Sequence, residues 1–297
     1  MGKAQRNRQQ NAREKIAAQQ AAARRGEVRK RMLLTGGSVV AVLAIVVAFV
    51  VIKAFTGTAS AGSNTATANA SVVSDLTGVP ASTLKTVGKG SALTYNAKPI
   101  IPIPGPPLAE NGKPEVLYLG AEYCPFCATE RWAMAEALSR FGTFSGLKFI
   151  HSDPSDVYPS TPTLTFYKST YTSKYVAFNP VEELTVSKQP LEAPTTAQQA
   201  LQTKYQVPPY VPAADVGSIP FVDLGNKFML SGAQYNPQVL QGKSWAQVAA
   251  ALKDPSNPIA QGADGAANTF TAAICKLTNN LPATACTPTV KAIEGTF

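Results

Sequence analysis

The sequence predicts a mixed α/β domain in the order βαβ, insert, α, ββ, α, preceded by one N-terminal transmembrane helix. Residues 32–51 are mostly apolar and carry no charge, over the length that a membrane-spanning helix needs. Residues 116–121 form a short apolar run, and apolar residues recur at helical spacing after Pro125. Residues 218–230 contain two further apolar runs joined by Gly225-Asn226, which is typical of a β-hairpin.

The positive charge of the chain lies almost entirely ahead of the predicted transmembrane helix. The net charge is +9, residues 1–31 supply +8 of it, and those residues contain no aromatic side chain. Segments rich in Lys and Arg stay in the cytoplasm. We therefore predict a cytoplasmic tail (1–31), a single-pass anchor in the cell membrane (32–54) and an extracytoplasmic domain. The alternative is a cleaved signal peptide ending near Ala59-Ser60-Ala61, whose apolar core is usually shorter. A basic tail without aromatic residues argues against nucleic-acid binding.

The rest of the chain divides into a linker, a folded domain and a C-terminal segment. Residues 55–110 are predicted to be a flexible and Pro-rich linker, whose Pro-rich part is extended and packs along the domain. Residues 111–260 form the domain. Within it, residues 147–151 are a strand expected to lie parallel to the first one, and residues 153–190 are an inserted hairpin or lid. Residues 261–297 form a C-terminal helix and a disulfide loop.

Cys124-Pro125-Phe126-Cys127, the CPFC motif, is the main candidate for chemistry. It follows a strand and opens a helix, so the first thiol lies at a helix N-terminus, where the helix dipole and free N–H groups lower its pKa. We predict that Cys124 is the attacking nucleophile and that Cys127, one turn into the helix, resolves the mixed disulfide. Two alternatives stay open. The cysteines could form a structural disulfide, or half of a zinc site, which would need a second pair of ligands.

The element order and the CPFC motif resemble the thioredoxin-like superfamily over about residues 115–255. In that superfamily, a loop with a cis-proline faces the active-site sulfur and presents backbone groups to a bound peptide. Ile219-Pro220 resembles that dipeptide, and the resemblance implies that both residues line a substrate groove. The spacing from Cys124 to Pro220 is longer than in minimal thioredoxins, which implies altered access for the substrate.

More closely, the chain resembles a family of membrane-anchored prokaryotic proteins known as domain of unknown function 929. Three segments carry this resemblance: Leu119 to Cys127, the insert rich in Tyr, Thr and Pro, and Cys275-Lys276-Leu277-Thr278. The resemblance implies a fold and a location in the membrane, and it implies no established reaction.

Five further side chains are candidates for roles around the motif. Tyr123 precedes the nucleophile and could form a substrate platform. Glu122 and Glu130 flank the motif and could assist proton transfer, although solvated surface carboxylates are the simpler interpretation. Cys275 and Cys286 are expected to form a structural disulfide that closes a C-terminal loop. The alternative for these two is a relay pair that passes electrons to the CPFC motif.

These observations predict a membrane-anchored extracytoplasmic thiol–disulfide oxidoreductase that acts on the thiols or disulfides of exported proteins. Disulfides persist outside the cytoplasm. The sequence contains no nucleotide fingerprint, phosphate loop or metal motif, so no cofactor and no metal is expected, and turnover requires a separate electron-relay partner in the membrane. The alternative is a non-catalytic binding module that presents the insert to a partner. The direction of electron flow is left open.

Overall fold

Strand β4 (Lys113–Gly120) lies near the centre of the fold and leads directly into the CPFC motif. The computed structural model describes residues 66–67, 70–91 and 98–297. The predicted cytoplasmic tail and membrane anchor lie outside these residues. No helix within them is both long enough and apolar enough to cross a membrane.

The helices and strands of the described residues are numbered here in chain order. The helices are α1 (Ala70–Thr77), α2 (Ala81–Val87), α3 (Pro125–Ser139), α4 (Thr196–Tyr205), α5 (Trp245–Ala251), α6 (Pro258–Leu277) and α7 (Pro288–Glu294). The strands are β1 (Ala66–Thr67), β2 (Ile101–Pro102), β3 (Ala109–Glu110), β4, β5 (Gly142–Ser145), β6 (Lys148–His151), β7 (Pro162–Thr165), β8 (Thr170–Ser173), β9 (Ala177–Glu182), β10 (Phe221–Leu224) and β11 (Phe228–Ser231).

The main sheet is mixed. Strand β4 pairs in parallel with β9 and antiparallel with β10, so that Leu117 lies opposite Asn179 of β9 and Asp223 of β10. The sheet continues from β10 through β11 to β2. Strands β1, β6 and β7 form a second sheet, and β5 pairs with β8. The α/β class predicted from the sequence is confirmed.

Side chains of β4 point alternately to two hydrophobic cores, as the geometry of a strand requires. Val116 and Tyr118 belong to the larger core, which also contains residues of α3 and α6. Leu117 and Leu119 belong to the smaller core, which also contains Tyr205 of α4. Because both faces of β4 are buried, its sequence is nearly continuous in apolar residues, as in strands that are covered on both sides.

The predicted hairpin over residues 218–230 is present as β10 and β11, in which Leu224 pairs with Phe228. The turn between the strands places Gly225 and Asn226 at positive φ, 64° and 53°. Gly and Asn adopt this backbone region more readily than other residues do, which explains why this turn could be read from the sequence.

The pairing predicted for residues 147–151 is corrected by the structure. Strand β6 runs antiparallel to β7 and lies outside the main sheet, and the parallel neighbour of β4 is β9. The segment 153–190 is therefore no separate hairpin or lid, because its strands β7, β8 and β9 pair with three other elements. Pro180 lies inside β9, opposite Tyr118 of β4. Proline is tolerated there because, among the described residues, β9 pairs with β4 alone and lies at the sheet edge.

The segment predicted to be a flexible linker also differs from the prediction where the structure describes it. Residues 70–91 form α1 and α2, and Val72 and Leu76 of α1 are buried in the larger core. The side chain of Asn268 in α6 donates hydrogen bonds to the carbonyl oxygens of Leu84 (3.0 Å) and Gly88 (2.7 Å). These bonds tie the end of α2 to α6, and the carbonyl oxygen of Leu84 also accepts the backbone N–H of Gly88 at the helix cap. Pro80 followed by residues 81–84 indicates the start of a short helix in the sequence, and α2 confirms it. Small polar residues surrounding few apolar ones concealed α1.

Candidate active site

Cys124 is the N-cap residue of α3, immediately after β4. Its backbone is extended (φ −78°, ψ 123°), and Pro125 occupies the first helical position, where proline costs no hydrogen bond. The backbone N–H of Cys127 donates to Cys124 Sγ over 3.3 Å. Cys124 is 5% exposed and Cys127 is fully buried, and both are free thiols. A reactant in solvent therefore meets the sulfur of Cys124 before that of Cys127.

The pKa values of the two thiols are shifted in opposite directions. A hydrogen bond from the Cys127 thiol lowers the pKa of Cys124, and the N–H groups of Cys127 and Phe126 and the charge of Arg131 act in the same direction. Burial raises the pKa of Cys127 well above its ordinary value. Cys124 is consequently the better nucleophile and the better leaving group, whereas Cys127 holds its proton.

The loop before β10 lies over the sulfur of Cys124. The Ile219–Pro220 peptide bond is cis, and the carbonyl oxygen of Ile219 lies 3.8 Å from Cys124 Sγ. The carbonyl oxygen of Pro220 accepts a hydrogen bond from the N–H of Gly232 over 2.8 Å. Of the two residues that the sequence assigned to a substrate groove, Ile219 thus lies against the reactive sulfur, and Pro220 is the buried residue that follows it.

A groove of about 670 Å³ opens beside this sulfur, and Tyr123, Cys124 and Ile219 contribute to its lining. Aromatic rings form part of its wall. Phe126 is 38% exposed and meets Tyr158 edge to face, with ring centroids 5.8 Å apart. The wall also contains Lys98 and Asp215, which form an ion pair of 2.7 Å. The groove combines apolar and charged contacts, as sites for peptides and other ligands do.

A buried ion pair lies next to the motif and was missed in the sequence. Arg131 donates from Nε and Nη2 to the two carboxylate oxygens of Glu182, both over 2.7 Å, and both side chains are fully buried. Arg131 Nη2 also donates to the carbonyl oxygen of Ala121 over 2.5 Å, and that oxygen accepts the N–H of Cys124 over 3.2 Å. The sequence pattern placed Arg131 off the apolar stripe of α3, but helix α3 is buried on nearly all sides.

Glu122 and Glu130 are buried, in contrast to the solvated surface carboxylates that the sequence favoured. Burial raises the pKa of Glu122 and raises the pKa of Glu130 to about 8. Glu130 accepts hydrogen bonds from the backbone N–H and the side chain of Gln234. Within residues 98–297, no hydrogen bond joins either carboxylate to a sulfur of the CPFC motif. Arg131 is the charged side chain that acts on both thiols.

Cys275 and Cys286 form the predicted disulfide, with Cα atoms 5.7 Å apart. The bond joins the end of α6 to the segment before α7. Cys275 is fully buried and Cys286 is 3% exposed, so neither sulfur is open to attack from solvent, which a relay pair requires. These thiols are bonded to each other and are not available as the second ligand pair of a zinc site. Across the described residues, no three His, Cys, Asp or Glu side chains are grouped to hold a metal.

Comparison with protein families gives one match. The family described as domain of unknown function (DUF929) matches residues 100–276, which is more than half of the chain and includes the CPFC motif, the Ile219–Pro220 loop and Arg131. No curated protein and no solved structure matches the chain significantly.

Proposed function

We propose that this chain, which belongs to the DUF929 family, is a membrane-anchored thiol–disulfide oxidoreductase that acts on exported proteins. One observation carries the proposal. Cys124 Sγ lies at the N-terminus of α3, beside a groove, within 3.3 Å of the Cys127 N–H and 3.8 Å of the Ile219 carbonyl oxygen. This arrangement supplies a stabilised thiolate, a second thiol in reach and space for a polypeptide.

The strand order supports a thioredoxin-like fold for the domain. The order β9, β4, β10, β11, with β9 and β4 parallel and the other pairs antiparallel, is the arrangement that the βαβ and ββ units of that fold produce. The CPFC motif follows the central strand β4, as the resemblance in the sequence implies. Here the crossover from β4 to β9 contains α3 and four further strands, which accounts for the long spacing from Cys124 to Pro220.

The chemistry is thiol–disulfide exchange. The thiolate of Cys124 attacks a substrate disulfide and forms a mixed disulfide, and Cys127 then attacks Cys124 Sγ and releases the reduced substrate. The reverse sequence oxidises a substrate. Tyr123 and Ile219 line the substrate groove in this proposal, and Pro220 belongs to the loop that carries Ile219. Proton transfer by Glu122 or Glu130 stays a prediction.

The proposed location follows from the N-terminal sequence. A basic segment followed by an apolar run orients the chain with its domain outside the cytoplasm, where disulfides persist. Exported polypeptides are then the substrates, and a second membrane protein carries electrons to or from the CPFC pair.

The competing proposal is a binding module in which the CPFC pair is a structural disulfide. The reduction potential of the pair separates the two proposals, measured on the full-length chain in detergent with glutathione buffers and peptide mass mapping. A value between about −270 and −120 mV is the range of exchange enzymes and supports the oxidoreductase. A value below about −300 mV is that of an inert structural disulfide and would leave the binding module as the better account.

A further inference from the structure

We propose that the CPFC pair is an oxidant, and that Arg131 is the positioning residue that makes it one. This inference rests on the proposed function and adds its direction: the disulfide of Cys124 and Cys127 passes to two thiols of an exported polypeptide. Arg131 favours the reduced form of the pair, so the pair gives up its disulfide readily.

The guanidinium of Arg131 is fixed to the turn that holds the reactive sulfur. Arg131 lies four residues after Cys127 in α3 and hence on the same face of the helix. Its Nη2 shares the carbonyl oxygen of Ala121 with the backbone N–H of Cys124. Because Arg131 is fully buried, the charge is held in place and water screens it little.

The groups around Arg131 do not cancel the effect of its positive charge on the two sulfurs. Glu182 binds Nε and Nη2, whereas Nη1 has no hydrogen-bond partner among the residues that the structure describes. Tyr118, whose ring lies 6.0 Å from the guanidinium, keeps its proton because burial raises its pKa well above the ordinary value.

Three other carboxyl groups interact electrostatically with this ion pair. Burial raises the pKa of Glu122 and Glu192, and burial together with the charge of Glu182 raises the pKa of Glu183 to about 7. These groups are therefore more often neutral than exposed carboxylates are. Glu182 is the carboxylate that binds Arg131 directly.

A stabilised thiolate sets the direction of exchange. Cys124 can carry a negative charge in the reduced pair and none in the disulfide, so a fixed positive charge nearby stabilises the reduced pair selectively. A disulfide whose reduced form is stabilised is a strong oxidant. The electrostatics around Cys124 therefore favour transfer of the disulfide to the substrate.

The transfer takes place in two displacements. A substrate thiolate attacks Cys124 Sγ in the disulfide, and Cys127 leaves and takes up a proton. The second substrate thiolate attacks the substrate sulfur of the mixed disulfide, and Cys124 leaves as a thiolate. Two electrons pass from the substrate to the pair, and of the two substrate protons one resides on Cys127 and one in solvent. Another disulfide, glutathione disulfide in the assay, reoxidises the pair.

The test compares equilibrium constants with glutathione for the wild-type full-length chain, Arg131→Met and Glu182→Gln. Removal of the positive charge should stabilise the disulfide by about tenfold or more, which is about 30 mV for this two-electron couple. Removal of the opposing negative charge should shift the constant the other way. Arg131→Lys keeps the charge and should stay closer to wild type. A residue that only supports the fold would not shift the constant in opposite directions for the two partners.

A double variant controls for misfolding of Arg131→Met. Arg131→Met leaves the buried Glu182 without a counter-charge, which is strongly destabilising, whereas apolar replacement of both charged partners is often tolerated. The double variant Arg131→Met/Glu182→Met should therefore fold and should still stabilise the disulfide. Thiolate absorbance as a function of pH should show that Cys124 loses its proton at higher pH in Arg131→Met and in the double variant than in wild type. A constant within about twofold of wild type in the double variant would overturn the role of Arg131.

The direction is tested with reduced, unfolded ribonuclease. One equivalent of the oxidised wild-type chain per substrate thiol pair should convert most of these pairs into disulfides. If the substrate thiols stay mostly free although the CPFC pair exchanges with glutathione, the direction is wrong and the proposed exchange function stands. If the CPFC pair forms no mixed disulfide with glutathione, the exchange function itself fails.

Discussion

The sulfur of Cys124 lies 3.8 Å from the carbonyl oxygen of Ile219, a residue 95 positions further along the chain. The two meet because the end of β4 and the start of β10 are neighbours in the sheet, with Leu119 opposite Phe221. In the proposed function, a polypeptide that reaches Cys124 therefore passes along the Ile219 backbone. Cys127, one turn into α3, is fully buried behind it.

This asymmetry predicts which cysteine variant traps substrates. Cys127→Ser removes the resolving thiol and leaves the accessible one, so mixed disulfides between Cys124 and exported proteins should accumulate. Cys124→Ser leaves a buried thiol with a raised pKa and should trap little or nothing. Non-reducing gels of membranes, followed by reduction in a second dimension, measure the trapped species.

The Cys124→Ser/Cys127→Ser variant is the control for this experiment, because it should give the same background as Cys124→Ser alone. Equal trapping by the two single variants would contradict the assignment of Cys124 as the nucleophile. Absence of trapping from both would favour the binding module.

The aromatic wall of the groove predicts a preference for apolar residues next to the reacting cysteine of a substrate. Phe126→Ala removes the ring that meets Tyr158. An aromatic contact contributes about 0.5–1.5 kcal/mol, so the exchange rate constant should fall about 2- to 10-fold for a peptide with phenylalanine beside its cysteine. Stopped-flow exchange with that peptide and with glutathione, which lacks such a side chain, checks the difference.

Leu281→Ala is the matched control for this second prediction, because Leu281 is also exposed (55%) and does not line the groove. It should leave both rate constants unchanged. Equal losses for the peptide and for glutathione in Phe126→Ala would mean that the ring supports the motif and does not bind the substrate.

The sequence sufficed for those parts of the site in which local chemistry determines local structure. The apolar run of β4 followed by Cys124 and Pro125 indicated the strand, the N-cap and the helix. Gly225-Asn226 indicated the hairpin turn. In each case a few adjacent residues have backbone preferences that leave little choice.

Long-range partners could not be predicted in the same way. Arg131 and Glu182 are 51 positions apart, and each resembles an ordinary surface residue until β9 is known to pair with β4. Pro180 lies inside β9, and an internal proline argues against a strand at that position of a sheet. Because the pairing of β9 with β4 was not predicted, neither the parallel strand nor the Arg131–Glu182 ion pair next to the cysteines could be predicted.

The bond between Cys275 and Cys286 predicts a change in stability without a change in exchange chemistry. Cys275→Ala/Cys286→Ala should lower the free energy of unfolding by about 3 kcal/mol, the usual effect of a loop of this size. The loss can be read from thermal or denaturant unfolding of the full-length chain. The exchange rate of the CPFC motif at room temperature should be unchanged, because both cysteines are buried at the far end of α6. A loss of turnover in proportion to the loss of this disulfide would instead support the relay pair.

Two carboxyl groups buried between α3 and α6 predict that the protein is less stable at alkaline pH. Asp264 is fully buried and Glu136 is 2% exposed, and burial, followed by the neighbouring Glu136 carboxyl, raises the pKa of Asp264 to about 10. The folded state holds a proton that the unfolded chain, with an Asp pKa of about 3.9, releases. The stabilisation that this bound proton gives is complete at a pH below the Asp264 pKa of the unfolded chain. It is lost as the pH rises towards the Asp264 pKa of the folded protein. One such proton changes the free energy of unfolding by about 1.4 kcal/mol per pH unit.

Glu130, with its pKa of about 8, adds to this decline in the lower part of the range. Urea unfolding at intervals from about pH 7 to about pH 9 should show the decline in wild type and a shallower one in Asp264→Asn, which keeps the shape and cannot ionise. Glu110→Gln changes an exposed carboxyl and should decline in parallel with wild type. If Asp264→Asn also declines in parallel, Asp264 is ionised in the folded protein at neutral pH, and its partner must be the positive charge of Arg140, which already binds Glu136 over 2.6 Å.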